Sequence, residues 1–399
     1  MTDNSGGGSA MSPADRAAAE IKTFGDRERT DIAQRAVDSP VRSIRSWEVV
    51  PMDAVSIGNG TLGFVRVSGS VDTESGTASW SAIVKAMGAN TWGEYAGSNS
   101  PAREVDAYRS GFFERLDSGL VSVPCYGVTD RPDGSTWLWL KDLTGAADPP
   151  WDRSQFLSVA RHVGQFNGAW PESRAPDFDW LDRGGATGRW NVFLAAFADT
   201  FDLLLDNLDH PLVGRVAKRV GSGRIARLRD DFQTLTGASA GLPRSVAHND
   251  CHARNLFPDI DRNGHEVTYA IDWAAVGLAP VGVDGGSVTG ASLTWGRDEA
   301  VFVGGAEKEL FEAYMTGLTD SGWEGERSDV RLAYLSTVAF YVIAIALRGP
   351  LIGIESERRA WALARAGVPA DEALDEAAER LEMFIPLVDE GLELAAHRA

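Results

Sequence analysis

The spacing of hydrophobic positions changes character part-way along this chain. From about Trp47 to Leu143, apolar residues alternate with polar ones or run in short blocks broken by glycine, as in VVPMDAVSIG, GFVRVSG and SWSAIVKAM, the two-residue period of strands. One helical segment interrupts them. PAREVDAYRSGFFERLDSG sets Val105, Tyr108, Phe112 and Leu116 on one face and ends at Gly119, and STWLWLKDLTG then reads as a strand leaving the region. Beyond the AADPP turn the period becomes helical, in SQFLSVARHVGQFNGAW, in NVFLAAFADTFDLLLDNL and in the segments from Arg297 onward. Between the first two of these helices, PESRAPDFDWLDRGGATGRW is rich in Pro, Gly and aromatic residues and predicts an irregular insertion over 171–190, packed on the helical region. The pattern predicts an α+β chain in three parts: a flexible N-terminal tail over 1–40, a small antiparallel β lobe with one helix over 41–143, and a larger, mainly helical lobe over 144–399. No internal repeat is visible.

Composition narrows this only a little. With 44% apolar and 24% charged residues the chain has a globular make-up, neither disordered nor fibrous. The first 20 residues are Gly-, Ser- and Ala-rich with no basic start and no apolar core, which predicts a tail and not a signal peptide. The longest apolar stretch, Leu332 to Leu347, contains Ser and Thr and falls short of the roughly 20 residues a membrane helix needs, so a buried helix is expected. The two cysteines, Cys125 and Cys251, lie far apart with no CxxC, which fits a reducing cytoplasm and neither a disulfide scaffold nor a zinc site. A net charge of −19 would repel nucleic acid, and no membrane partner is expected; oligomeric state is not readable.

The local chemistry is more telling. His248-Asn249-Asp250-Cys251-His252-Ala253-Arg254-Asn255 has the spacing H-x-D-x-x-x-x-N of a kinase catalytic loop. An aspartate there would accept the proton of an attacking hydroxyl, and the asparagine would bring an amide oxygen to Mg²⁺. A polar loop with an Asp-capped turn would look the same in isolation. Downstream, the apolar run Thr268-Tyr269-Ala270-Ile271 delivers Asp272, and the Asn263-Gly264 pair between the two predicts a hairpin that brings Asp272 to the same end as Asp250 and Asn255, as a second metal ligand. Upstream, Gly58-Asn59-Gly60-Thr61-Leu62-Gly63-Phe64-Val65 fits G-x-G-x-x-G-x-V, a weak signal alone. A dinucleotide fold would open a helix here, whereas GFVRVSGS is a strand, which suits a β-turn-β flap over phosphates or an ordinary glycine-rich hairpin. Ser81-Ala82-Ile83-Val84-Lys85 then ends an apolar strand with a lysine able to neutralise phosphates, and Glu104 on the next helix would hold it. Each of these is common singly. Their succession, from glycine turn to strand lysine, helix glutamate, strand exit, helices, H-x-D-x-x-x-x-N and hairpin aspartate, is not.

At these residues the sequence resembles the aminoglycoside phosphotransferase and choline kinase-like family, which typically carries H-G-D-x-x-x-x-N followed by I-D-W or I-D-F/Y; here the second motif is Ile271-Asp272-Trp273. The resemblance runs from about Trp47 to Tyr341 and implies a two-lobed protein-kinase-like fold; D-F-G and A-P-E are absent after Asn255. It implies Asp250 as catalytic base, Asn255 and Asp272 as Mg²⁺ ligands, and Gly58, Gly60, Gly63, Lys85 and Glu104 around the phosphates of ATP or GTP. The strand exit Trp139 to Leu143 would be the hinge beside the adenine, with Leu140 and Asp142, and Asp284 would be a structural aspartate opening the next helix. Asn249 departs from the usual glycine, and the insertion and the long C-terminus exceed the family minimum.

The acceptor would lie on the helical lobe, where Trp180, Trp190, Trp295, Trp323, Tyr314, Asp177 and Asp298 are available; the chain has 13 Trp. Aromatic faces stack on sugar rings and carboxylates bind amines, so a sugar, amino sugar or aminoglycoside-like antibiotic is the expected hydroxyl acceptor, although such tryptophans also serve as plain packing. The alternatives are a catalytically silent nucleotide-binding protein, a kinase for an amino alcohol or nucleoside, and a kinase for a protein side chain or lipid head group.

Overall fold

Ser12 opens the chain's first helix by accepting a hydrogen bond from the Asp15 amide, with Pro13 at the first helical position where its missing N–H costs nothing. The computed structural model describes residues 11–37, 39–52, 60–88, 101–116, 118–146, 151–184, 195–261, 263–295, 305–355, 358–360, 362–363 and 367–398. They fall into two compact units that divide at Thr144/Gly145, with residues 114–122 belonging to the second.

In the first unit α1 (Pro13–Lys22) and α2 (Asp26–Ala36) precede the antiparallel strands β1 (Val41–Met52), β2 (Thr61–Thr73) and β3 (Gly76–Met87). The helix α3 (Pro101–Arg109) follows, then β5 (Cys125–Asp130) and β6 (Thr136–Lys141), which complete a five-stranded sheet in the order β1-β2-β3-β6-β5. The flexible tail expected over 1–40 is corrected for the residues from Pro13 to Ala36. Ala17, Ala18 and Ile21 of α1 and Ala33 of α2 are buried in one cluster with Val65 and Val67 of β2 and Ala82, Val84 and Ala86 of β3. Phe24, between the helices, lies against Trp137 and Trp139 of β6 at ring-centroid distances of 6.4 and 6.1 Å. The apolar stripe of α1 is mostly alanine, which has little side chain to show in a hydrophobic pattern yet allows a helix to sit close on a sheet.

The second unit holds two small sheets among helices. β7 (Arg244–Ala247) pairs with β10 (Gly277–Pro280), and β4 (Leu120–Ser122), β9 (Glu266–Ala270) and β8 (Leu256–Ile260) form the other in the order β4-β9-β8. Its helices are α4 (Arg153–Ala169), α5 (Ala198–Asp206), α6 (Val213–Ala217), α7 (Ser222–Ser239), α8 (Val283–Trp295), α9 (Ala306–Asp320), α10 (Arg327–Ala346), α11 (Arg348–Gly353) and α12 (Ala370–Ala396). The stretch α10–α11 is long and apolar enough to cross a bilayer by length and composition, but 94% of its most apolar window is buried, packed on α7, α8 and α12. It is the central helix of this core, as its sequence predicts. The acidic α12 is tied down by Arg215 to Asp371 and Asp375, by Arg219 to Glu379 and Glu382, and by Arg224 to Asp389. With an antiparallel sheet lobe followed by a mainly helical one, the chain has the predicted protein-kinase-like architecture.

Candidate active site

β7 ends at Ala247 and hands the chain to a loop fixed mostly by its own polar groups. His248 is fully buried; its Nε2–H donates to the Ile271 carbonyl at 2.9 Å, so Nδ1 is the acceptor for the Asp250 amide at 3.2 Å. That pair of bonds fixes the tautomer. Burial pushes the imidazole pKa down, against the pull of Asp284 and Asp250, so His248 is a neutral brace and not the base. Asp284, at the start of α8, accepts the amides of His248 and Asn249, each at 2.8 Å, and Asn167 Nδ2 at 3.0 Å. It is the structural aspartate the sequence predicts.

Asn255 closes the loop by donating Nδ2 to both the carbonyl and the Oδ2 of Asp250, each at 3.1 Å. With its nitrogen so committed, the amide oxygen is the end turned elsewhere. Its backbone carbonyl takes the Ile271 amide at 2.9 Å, which stitches the loop to the end of β9. The β8–β9 hairpin forms as the Asn263-Gly264 signal predicts: Gly264 has φ 83°, and Asp261 accepts the amides of Asn263 and His265. It delivers Asp272, which takes a left-handed conformation at φ 61° and opens the short turn Trp273–Ala275. One carboxylate and one amide oxygen carried by two stitched segments are hard, oxygen-only donors of the kind Mg²⁺ prefers, so Asn255 and Asp272 fit the ion.

The first unit contributes a separate group. On β3, Lys85 points to the face opposite Val84, and its Nζ lies 2.6 Å from Glu104 Oε2 of α3; both side chains are almost wholly buried. Gly60 turns the chain into β2 at φ 79°, a conformation that favours glycine, and its carbonyl accepts the Gly88 amide at 2.7 Å. Gly58 lies outside the described residues. Gly63 shares a face with Val65 and Val67, and a Cβ there would come within 2.8 Å of Ala14 Cβ. Glycine at 63 is therefore accounted for by the seat of α1. Leu140 sits inside the ladder, opposite Ile83 on one side and Cys125 on the other. Asp142 follows the ladder's last residue. Burial raises its pKa, but bonds from Thr144 and Ser81 and the Arg66 guanidinium at 3.0 Å outweigh that and hold the carboxyl below its usual value. Asp142 thus caps its own turn.

The expected acceptor residues are described only in part. Tyr314 is corrected: it is fully buried, donates its hydroxyl to Asn167 Oδ1 at 2.7 Å and accepts the Gly282 amide at 3.0 Å, and burial pushes its pKa well up. Trp180 is half-buried and stacks on Phe178 at 5.1 Å, in an insertion tied to the β7–β10 sheet by bridges from Pro171 to Ser245 and from Asp182 to Gly277. Asp177 is exposed and pairs loosely with Arg183. Trp323 is half-buried in the turn after α9, where its amide donates to the Leu318 carbonyl at 3.0 Å and its ring lies against Gly325. Trp295 ends α8, and Trp190 and Asp298 lie outside the described residues. Asn167 and His252 escaped the sequence reading. Asn167 ties Asp284 and the Val246 carbonyl together from α4, where it stands as a lone amide on the apolar stripe Phe156, Val159, Val163, Phe166. That break in the stripe was the available signal. His252 Nε2 is 3.7 Å from Asp250 Oδ2.

No protein-family model matches the chain, and no curated protein matches it. Solved structures similar to it include a microcompartment-associated aminopropanol kinase, at 14% identity over 93% of this chain and 98% of that one, with a TM-score of 0.45. An aminoglycoside phosphotransferase from Alicyclobacillus acidocaldarius has 14% identity over 92% and 95%, with a TM-score of 0.48. A spectinomycin phosphotransferase in complex with ADP and spectinomycin has 12% identity over 90% and 100%, with a TM-score of 0.43.

Proposed function

We propose that the chain is a Mg²⁺-dependent kinase for a small-molecule hydroxyl, moving the γ-phosphoryl group of ATP or GTP onto a sugar, amino sugar or aminoglycoside-like acceptor. The observation that carries this reading is the joined set Asp250, Asn255 and Asp272: a carboxylate whose Oδ2 is held by Asn255, beside a second carboxylate on a stitched hairpin. Asp250 orients the acceptor hydroxyl and takes its proton as the new O–P bond forms and the bond to the leaving diphosphate breaks. Asn255 and Asp272 would hold Mg²⁺, and the positive charge it would supply opposes the negative charge that develops on the phosphate oxygens. Lys85, kept in place by Glu104, takes the remaining negative charge of the triphosphate. His248 carries no proton through the cycle; it sets the backbone of Asp250.

The test is nucleotide consumption with Mg·ATP and Mg·GTP against sugars, amino sugars, aminoglycosides, nucleosides and amino alcohols. Asp250→Ala is expected to lose at least about a hundredfold in kcat while still binding nucleotide, as loss of a positioned base does. Asp272→Ala is expected to lose Mg²⁺-dependent nucleotide binding. Wild-type turnover in Asp250→Ala, or unchanged Mg·ATP affinity in Asp272→Ala, contradicts the respective role.

A further inference from the structure

The geometry points to Asn249 as a positioning residue that rivets the segment bearing Asp250 to the segment bearing Asp272; this rests on the function proposed above. Asn249 has φ 63°, a left-handed conformation that Asn tolerates better than most residues but that glycine adopts freely. Glycine would satisfy the backbone, so the reason for a side chain must lie in what the side chain does.

It makes one bond. Asn249 Nδ2 donates to the Ala275 carbonyl at 3.0 Å, three residues past Asp272 in the short turn that Asp272 opens. The Asn249 amide meanwhile donates to Asp284 Oδ1 at 2.8 Å. The residue immediately before Asp250 is therefore held to the Asp272 turn by its side chain and to α8 by its backbone. The other end of the same amide, Oδ1, is buried and accepts no hydrogen bond among the described residues. A buried acceptor left unsatisfied is a cost a glycine would not carry. An asparagine that accepts both an unfavourable backbone region and an orphaned oxygen is placed for the bridge and not for stability.

The bridge has a use in the proposed chemistry. Asp250 handles the acceptor and Asp272 the metal, and in-line transfer depends on their separation being fixed to a fraction of an ångström. The backbone bond from Ile271 to Asn255 joins the two segments at one end of the loop; at the other, His248 reaches the carbonyl just before Asp272 and Asn249 reaches past Asp272 to the turn it opens.

Two variants separate the bridge from the backbone conformation. Asn249→Gly keeps the left-handed backbone and removes the bridge; Asn249→Asp tolerates the same backbone but turns a carboxylate toward the Ala275 carbonyl. Both are to be compared with wild type by thermal midpoint, by binding of a non-hydrolysable ATP analogue across a Mg²⁺ titration, and by kcat on an acceptor that wild type phosphorylates. The expected result is a midpoint for Asn249→Gly within about 4 °C of wild type, with kcat lowered roughly tenfold and the Mg²⁺ needed for analogue binding raised several-fold. Asn249→Asp is expected to lose more of both. Wild-type kcat and Mg²⁺ dependence in Asn249→Gly overturn the inference while leaving the proposed function standing. So does loss of folding in both variants, which would make Asn249 a folding residue. A wild-type protein that neither turns over nor binds Mg·ATP overturns the proposed function, and this inference with it.

Discussion

The sheet of the first unit has two faces built on opposite terms. On one, Lys85 and Glu104 bury a full ion pair at 2.6 Å. On the other, Gly63, Val65, Val67, Ala82, Val84 and Ala86 present small and branched apolar groups to the helices α1 and α2. Alternation along β3 puts Lys85 between Val84 and Ala86, so one strand serves both faces. The charged face holds by mutual compensation, because each buried charge lies 2.6 Å from an opposite one. The apolar face holds by fit, and its smallest residue, Gly63, is where the fit is tightest. A face of the first kind fails when one partner is lost; a face of the second kind fails by degrees.

The largest effect should come from unbalancing the charged face. Lys85→Ala removes the ammonium 2.6 Å from Glu104, a carboxylate with no exposed surface, and should cost about 3–5 kcal/mol of stability. It should also remove nearly all nucleotide-dependent turnover. Replacing the pair together, as Lys85→Met with Glu104→Leu, should recover most of the stability and none of the turnover. Urea unfolding beside steady-state kinetics separates the two. A single Lys85→Ala variant as stable as wild type would mean that the pair is not what holds this face.

The contrast between the faces also explains what could be read from the sequence. Lys85 was legible because a lysine closing an apolar strand is conspicuous, and Asp250, Asn255 and Asp272 because they lie within one loop and one hairpin whose turn is marked by Asn263-Gly264. The division into a sheet region and a helical region was legible from the change of period near Leu143. The helices α1 and α2 were not. Their buried residues are mainly alanines, whose meaning depends on a sheet that comes later in the chain, and the Gly- and Ser-rich start drew the whole segment into a predicted tail. Tyr314 was misplaced for a related reason: an aromatic with a hydroxyl looks the same whether it faces a ligand or, as here, bonds to Asn167 from another helix. Asn167 itself sits 81 residues before His248, and no local motif connects them. Chemistry within a motif is written locally; the partners that brace it from elsewhere are not.

Intermediate effects should come from the apolar face. Ile21→Ala removes a fully buried side chain of α1 and should cost about 2–4 kcal/mol. Gly63→Ala forces a methyl against Ala14 and should cost about 1–3 kcal/mol by overpacking, with Ala14→Gly in the same chain recovering part of it. Neither should change nucleotide affinity once the protein is compared where it is folded. If Gly63→Ala instead weakened nucleotide binding with no loss of stability, the glycine would belong to the phosphate flap after all, and the distinction between the faces would break at that residue.

The smallest effect tests whether charge matters at all on the apolar face. Glu20 of α1 forms an ion pair with Arg131, whose guanidinium also lies 4.5 Å above the Trp137 ring of β6. Glu20 is nearly half exposed, so Glu20→Gln should cost under about 1 kcal/mol, and less as salt is added. Arg131→Ala should cost more than Glu20→Gln by about 0.5–1 kcal/mol, because it also removes the cation over Trp137. The ratio of the two is the informative quantity. An Arg131→Ala effect that persists at high salt while that of Glu20→Gln fades would mean that α1 is seated by stacking and burial, with the ion pair only trimming its position. Equal, salt-sensitive losses would mean that the helix is held by its charges, and that both faces of the sheet obey the same rule.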